Sequence, residues 1–179
     1  MKMLHKFAAF AAFGFLSYST LPAKAAVSGW TNWRGPHQAG RSDATDLPKS
    51  IVLSGAGSNL MWTHDIAGRG HVVIADGRVF AWGYRGKDAD LQEVLLCLNE
   101  ADGKTIWEHG YNDYLSDTVY SRYSVGAPTI DPATGWIYLM TTNGGVKCFN
   151  ADGKIQWEYS LMERFGRLTF PNGRTGAAV

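Results

Sequence analysis

One stretch of this chain is written almost twice, and that repetition limits what it can fold into more than any other feature. Cys97-Leu98-Asn99-Glu100-Ala101-Asp102-Gly103-Lys104-Thr105-Ile106-Trp107-Glu108 returns as Cys148-Phe149-Asn150-Ala151-Asp152-Gly153-Lys154-Ile155-Gln156-Trp157-Glu158, with Ala101 and Ala151 set 50 residues apart and Glu100 extra in the first copy. A weaker copy ends in Leu60-Met61-Trp62-Thr63-His64-Asp65-Ile66. A residue that returns once per unit performs the same packing task in each. Trp62, Trp107 and Trp157 are therefore read as structural docking residues, not as a stacking platform for a cofactor.

The turns divide each unit further. Asp-Gly and Asn-Gly pairs supply the positive φ angles that tight hairpins need. Asp76-Gly77 separates a strand at 72–75 from one at 79–82, and Asp102-Gly103 separates 94–98 from 105–109. In the second unit Asp131 to Gly135 joins 125–130 to 136–141, Asn143-Gly144-Gly145 leads into 146–149, and Asp152-Gly153 leads into 155–159. Each unit is thus predicted to be a four-stranded antiparallel meander. A period of 45 to 50 residues matches the blades of a propeller. The expected fold class is all-β: a partial β-propeller with units at 68–110 and 124–160. Thr175-Gly176-Ala177-Ala178-Val179 aligns with Val125-Gly126-Ala127-Pro128-Thr129, so a third unit is expected to begin near residue 174. A closed ring needs about seven or eight such units. The sequence therefore reads as a truncated piece, whose open strand edges favour self-association.

These units resemble the repeats of pyrroloquinoline-quinone-type (quinoprotein alcohol dehydrogenase-like) β-propellers, whose outer hairpin carries Ala, Asp, Thr-Gly and a docking Trp. The matching residues are Ala101-Asp102-Gly103-Lys104 to Trp107 and Ala151-Asp152-Gly153-Lys154 to Trp157, with no Thr before the glycine. Trp30-Thr31-Asn32-Trp33-Arg34-Gly35-Pro36, with Gly40 and Leu47-Pro48, is similar to the start of large exported members, and the likeness covers residues 30 to 179. The resemblance implies that Leu60 to Ile66 is a strand completing the last blade of the ring. Dehydrogenases of the family carry a vicinal cysteine pair and acidic and amide calcium ligands around the quinone. No Cys-Cys occurs here and no ligand set matches residue by residue, so no cofactor, neither PQQ nor calcium, is expected in this chain. The implied role is a non-catalytic binding or assembly scaffold; the alternative is the N-terminal part of a quinone-dependent dehydrogenase.

The first residues read separately. Lys2 and Lys6 precede an apolar run at 7–18, and Ala23-Lys24-Ala25 supplies the small residues of a cleavage site. The uninterrupted apolar stretch, 7–16, is too short to span a bilayer. The expectation is a cleaved signal peptide over 1–25, cut after Ala25, and a periplasmic or secreted product with no transmembrane segment. Of the 17 basic residues, Lys2, Lys6 and Lys24 lie in this leader, leaving 14 against 16 acidic ones, mixed and scattered. That balance argues against a nucleic-acid partner. Export would place Cys97 and Cys148 in an oxidising compartment. They hold equivalent positions in adjacent units, however, which keeps them apart and predicts two separate buried thiols.

The candidate binding residues lie in two long connections, 110–124 and 161–174, since long loops in compact repeats are often functional. In a propeller both lead into innermost strands at one face. Tyr120, Arg122, Tyr123, Arg167 and Arg174 combine aromatic rings with guanidinium groups, a set suited to a carboxylate, a sugar or a peptide. The competing reading has the aromatics packing the loops down and the arginines pairing with Asp113, Asp117 or Glu163. The five histidines show no metal-pair spacing, and no G-x-S-x-G elbow is present, so no catalytic or metal residue is assigned.

Overall fold

The computed structural model describes residues 26–113, 116–117, 119–166 and 176–178. The expected leader, residues 1–25, and the candidate residues Arg167 and Arg174 lie outside them. The described chain is mostly β, with two antiparallel sheets and one short α-helix. The first sheet orders β1 (Gly29–Trp30), β2 (Val73–Ala75), β3 (Arg78–Arg85), β4 (Gln92–Asn99) and β5 (Thr105–Asn112) as consecutive neighbours. The second orders β6 (Thr129–Ile130), β7 (Ile137–Met140), β8 (Gly145–Phe149) and β9 (Ile155–Ser160) in the same way. Both repeats are four-stranded meanders joined by the turns that the sequence announces. At Asp76-Gly77 both residues have positive φ, 48° and 74°, the two-residue geometry whose twist matches the flanking strands.

The two copies share their irregularity as well as their strands. The register slips between Cys97 and Leu98 against β5, and between Cys148 and Phe149 against β9. Ile106 and Gln156 are the extra residues, each immediately before the docking tryptophan. A bulge re-aims the next side chain, and it recurs where the sequence does.

The core lies between the sheets. Val73, Ala75, Phe80, Trp82, Leu95 and Cys97 of the first sheet pack on Ile130, Ile137, Leu139 and Phe149 of the second. The opposite face of the first sheet, with Val79, Ala81, Val94, Leu96 and Leu98, is covered by Trp62 and Ile66. β3 and β4 are consequently buried on both faces, and their sequences run almost continuously apolar. β5 alternates between exposed and half-buried residues, while β9 is exposed along nearly its whole length.

Three elements depart from expectation. The 60–66 segment forms no strand among the described residues; it reaches the first sheet through side chains, and only Ala67, just beyond it, makes a single bridge to Tyr84. β1, unforeseen, adds a fifth strand beside β2, and the segment around it also touches the second sheet: Ile130 N donates to Thr31 O and Val27 N to Pro132 O. The connection expected at 161–174 begins as helix α1 (Leu161–Phe165), capped by Ser160, whose side chain accepts from Glu163 N at 3.1 Å. Ser160-Leu161-Met162-Glu163 has the spacing of a capping box.

β6 is shorter than the predicted strand. Pro128 has no N–H for a ladder, and the residues before it run along other backbone instead. A Cβ on Gly70 would overlap the Gly126 carbonyl, and one on Gly126 would overlap that of Gly176. Gly70, Gly126 and Gly176 thus follow one another in close backbone-to-backbone approach.

Candidate functional site

The docking tryptophans come first, because their geometry positions everything else. Trp62 Nε1 donates to Glu100 O at 2.7 Å, and its ring lies so close to Gly103 that an added Cβ would sit 2.5 Å from it. Trp107 Nε1 donates to Ala151 O at 3.1 Å, and a Cβ on Gly153 would sit 2.7 Å from its ring. Each indole therefore caps an Asp-Gly turn later in the chain, Trp62 that of the first sheet and Trp107 that of the second. Around Trp107, His109 Nε2 donates to Gly153 O, Arg78 donates to Ala151 O, and the ring stacks on Phe149. Trp157 stands at the equivalent place on β9 and is 42% exposed, touching Tyr138 on its own sheet.

The connection carrying Tyr120, Arg122 and Tyr123 is organised by Asp117, which is 1% exposed. Its carboxylate accepts from Tyr120 N, Arg122 N and Arg122 Nε at 3.2–3.3 Å. The Arg122 guanidinium then lies 4.5 Å over the Tyr120 ring. Tyr123 is buried and its ring packs tilted against Tyr84, centroids 5.9 Å apart, so it belongs to the core and not to an exposed binding face. Of the five candidate residues, the structure brings together Tyr120 and Arg122 at the surface and withdraws Tyr123. The competing reading describes this loop better: the arginine is paired and one aromatic packs.

The same connection runs into a buried polar cluster that sequence reasoning missed. Glu93, fully buried on β4, accepts from Ser124 N (2.7 Å) and Thr142 N (2.9 Å), and also from the hydroxyls of Ser124 and Thr142. Ser124 Oγ lies 2.7 Å from Gly83 O as well, so its one proton is divided between two acceptors. Asp113, also buried, accepts from Ser116 Oγ, while its Oδ2 has no hydrogen-bond partner. Burial, then the neighbouring Glu93 carboxyl, push the Asp113 carboxyl up to about 8. Two carboxyl groups here clasp the first sheet to the β7–β8 turn and pin the start of the next unit. The signal was present in sequence: Glu93 shares strand parity with Leu95 and Cys97, on a face that is otherwise apolar.

Cys97 and Cys148 are separate buried thiols, and burial pushes Cys97 up to about 11. Such thiols are poor nucleophiles. Among the described residues no group of three or more His, Cys, Asp or Glu could hold a metal, and no helix is long and apolar enough to cross a membrane. Comparison with models of known protein families returns no match, and neither does comparison with curated proteins. The fold and its contacts define an all-β protein built of repeated antiparallel sheets.

Proposed function

We propose that the two sheets are successive blades of a quinoprotein-like β-propeller, exported on a cleaved leader and serving as a non-catalytic binding or assembly scaffold. The observation that carries this reading is the repeated docking of an indole on the following Asp-Gly turn. Trp62 and Trp107 make the same donor contact and the same ring-to-glycine contact, so one step relates each unit to the next. Sheets related by one repeated step, each packing its faces only on its neighbours, are the arrangement of a propeller. Trp157 offers the same indole outward, together with Tyr159 two residues on along the strand. The close glycines Gly70, Gly126 and Gly176 fit innermost strands that crowd toward an axis.

A scaffold is favoured over a quinone enzyme because the carboxyl pair is sealed between sheets and the thiols are buried and separate. Partners would meet the Tyr120–Arg122 surface or the open face of β9, the latter also a route to self-association. Reconstitution of the exported chain with PQQ and calcium, followed by absorbance and dye-linked alcohol oxidation, tests the assignment. The scaffold reading expects neither a bound-quinone spectrum nor turnover; turnover would transfer the chain to the dehydrogenase reading. Intact mass of the exported product tests the leader, with Ala26 expected as its first residue.

A further inference from the structure

The starts of three successive units converge on a cleft that none of the preceding roles uses. Arg69 and His71 line it from the first unit, Val125, Gly126 and Ala127 from the second, and Ala177 from the third, while Trp33 closes a side. Its volume, about 500 Å³, is that of a small-molecule site. Gly126 contributes only backbone to the lining. The walls are an indole and a valine, with Trp33 46% exposed and set edge to face with His71 at 5.8 Å.

The charge of the cleft is unbalanced. Among the described residues, the Arg69 guanidinium is its one fixed charge and no acidic side chain lines it. The other described arginines are engaged: Arg41, Arg85 and Arg122 with carboxylates, Arg34 and Arg78 with carbonyls, Arg164 over Tyr159. Arg69, among the described residues, has no ion-pair partner. A guanidinium left open beside an exposed indole is matched by a carboxylate, which accepts two parallel N–H bonds from the fork, on a molecule whose body covers the ring.

We propose that this cleft binds a small carboxylate with an aromatic or apolar body, Arg69 holding the carboxylate and Trp33 and Val125 the body. The site is formed by contacts within the described chain and does not depend on how the ring is completed. The test is calorimetric titration of the full chain with benzoate, with benzyl alcohol as the neutral match and inorganic phosphate as the bare anion. Benzoate is expected to saturate one site, and Arg69→Gln to weaken it about tenfold or more, the loss of a charge-assisted hydrogen bond. Arg69→Lys, which keeps the charge and loses the fork, is expected to fall between; Arg85→Gln, at an arginine already paired with Glu108, is expected to change nothing. Trp33→Ala is expected to bring benzoate down to the affinity of phosphate. Absence of a saturable benzoate signal overturns the proposal. So does equal binding by the Arg69→Gln chain with an unchanged melting curve, or binding of benzyl alcohol or phosphate as tight as that of benzoate.

Discussion

Replacing Gly153 with alanine isolates the docking contact, because Gly77 provides a control with the same backbone conformation. Both glycines have positive φ, 81° and 74°, but nothing lies within 4 Å of a Cβ on Gly77, whereas a Cβ on Gly153 meets three ring atoms of Trp107 at 2.7–3.0 Å. Gly77→Ala is expected to cost only the left-handed strain of a side chain, about 1–2 kcal/mol. Gly153→Ala carries that strain and an overlap as well. Carbon atoms rest about 3.5–4.0 Å apart, so the ring must withdraw by roughly 1 Å. Withdrawal breaks the bond from Trp107 Nε1 to Ala151 O, worth about 1 kcal/mol, and overpacking adds about 1–3 kcal/mol. Gly153→Ala should therefore be about 2–4 kcal/mol more destabilising than Gly77→Ala. Urea unfolding followed by far-ultraviolet circular dichroism measures both. The excess should vanish in a Trp107→Ala background, so the coupling in the double-mutant cycle should equal it, about 2–4 kcal/mol. Equal costs for the two glycine variants, or additive behaviour in the cycle, would refute the claim that the indole is seated on this turn.

The carboxyl pair gives a pH signature. Asp113 is raised from its ordinary 3.8 to about 8, so the folded chain holds a proton that the unfolded chain releases, and stability should fall as pH rises through that window. Asp113→Asn should remove this slope and be more stable than the parent at pH 8, read from urea midpoints at several pH values. The lowered carboxylates of Asp102, Glu108, Asp131 and Glu158 act in the opposite sense at more acidic pH and are common to both chains. Asp117→Ala strips the loop of three hydrogen bonds and leaves Arg122 unpaired, and should destabilise by about 1–3 kcal/mol; a change within 0.5 kcal/mol in thermal or urea midpoint would show that Asp117 does not organise the connection. Cys97 and Cys148 should resist a thiol reagent in the folded chain and both react once it is unfolded; rapid labelling of the native protein would contradict their burial.

The hairpins and the repeat were legible in the chain itself, because each is written locally. Asp76-Gly77 dictates its turn through the backbone angles those two residues tolerate, and β2 to β5 and β7 to β9 follow the apolar stretches between turns. The signal for α1 was also local, in the cap formed by Ser160 and Glu163, but short helices in a strand-rich chain are easily passed over. Tyr123 and Arg122 stand side by side in sequence and look alike as ligand residues. Only the structure sends one beneath Tyr84 and leaves the other at the surface with Asp117.

Sequence alone determined the strand-turn rhythm and the identity of the repeated contacts, since these depend on backbone preferences and on spacing along the chain. Tertiary structure decided which faces became interior. Glu93 and Asp113 are buried together because two sheets close over them, and β1 joins β2 across more than forty intervening residues. Arg69, His71 and Trp33 share a cleft only because segments distant in the chain pack backbone to backbone at Gly70, Gly126 and Gly176. Such neighbours are set by long-range packing, in which the energy of each contact depends on what lies on the other side of it, and no local pattern in the chain encodes that.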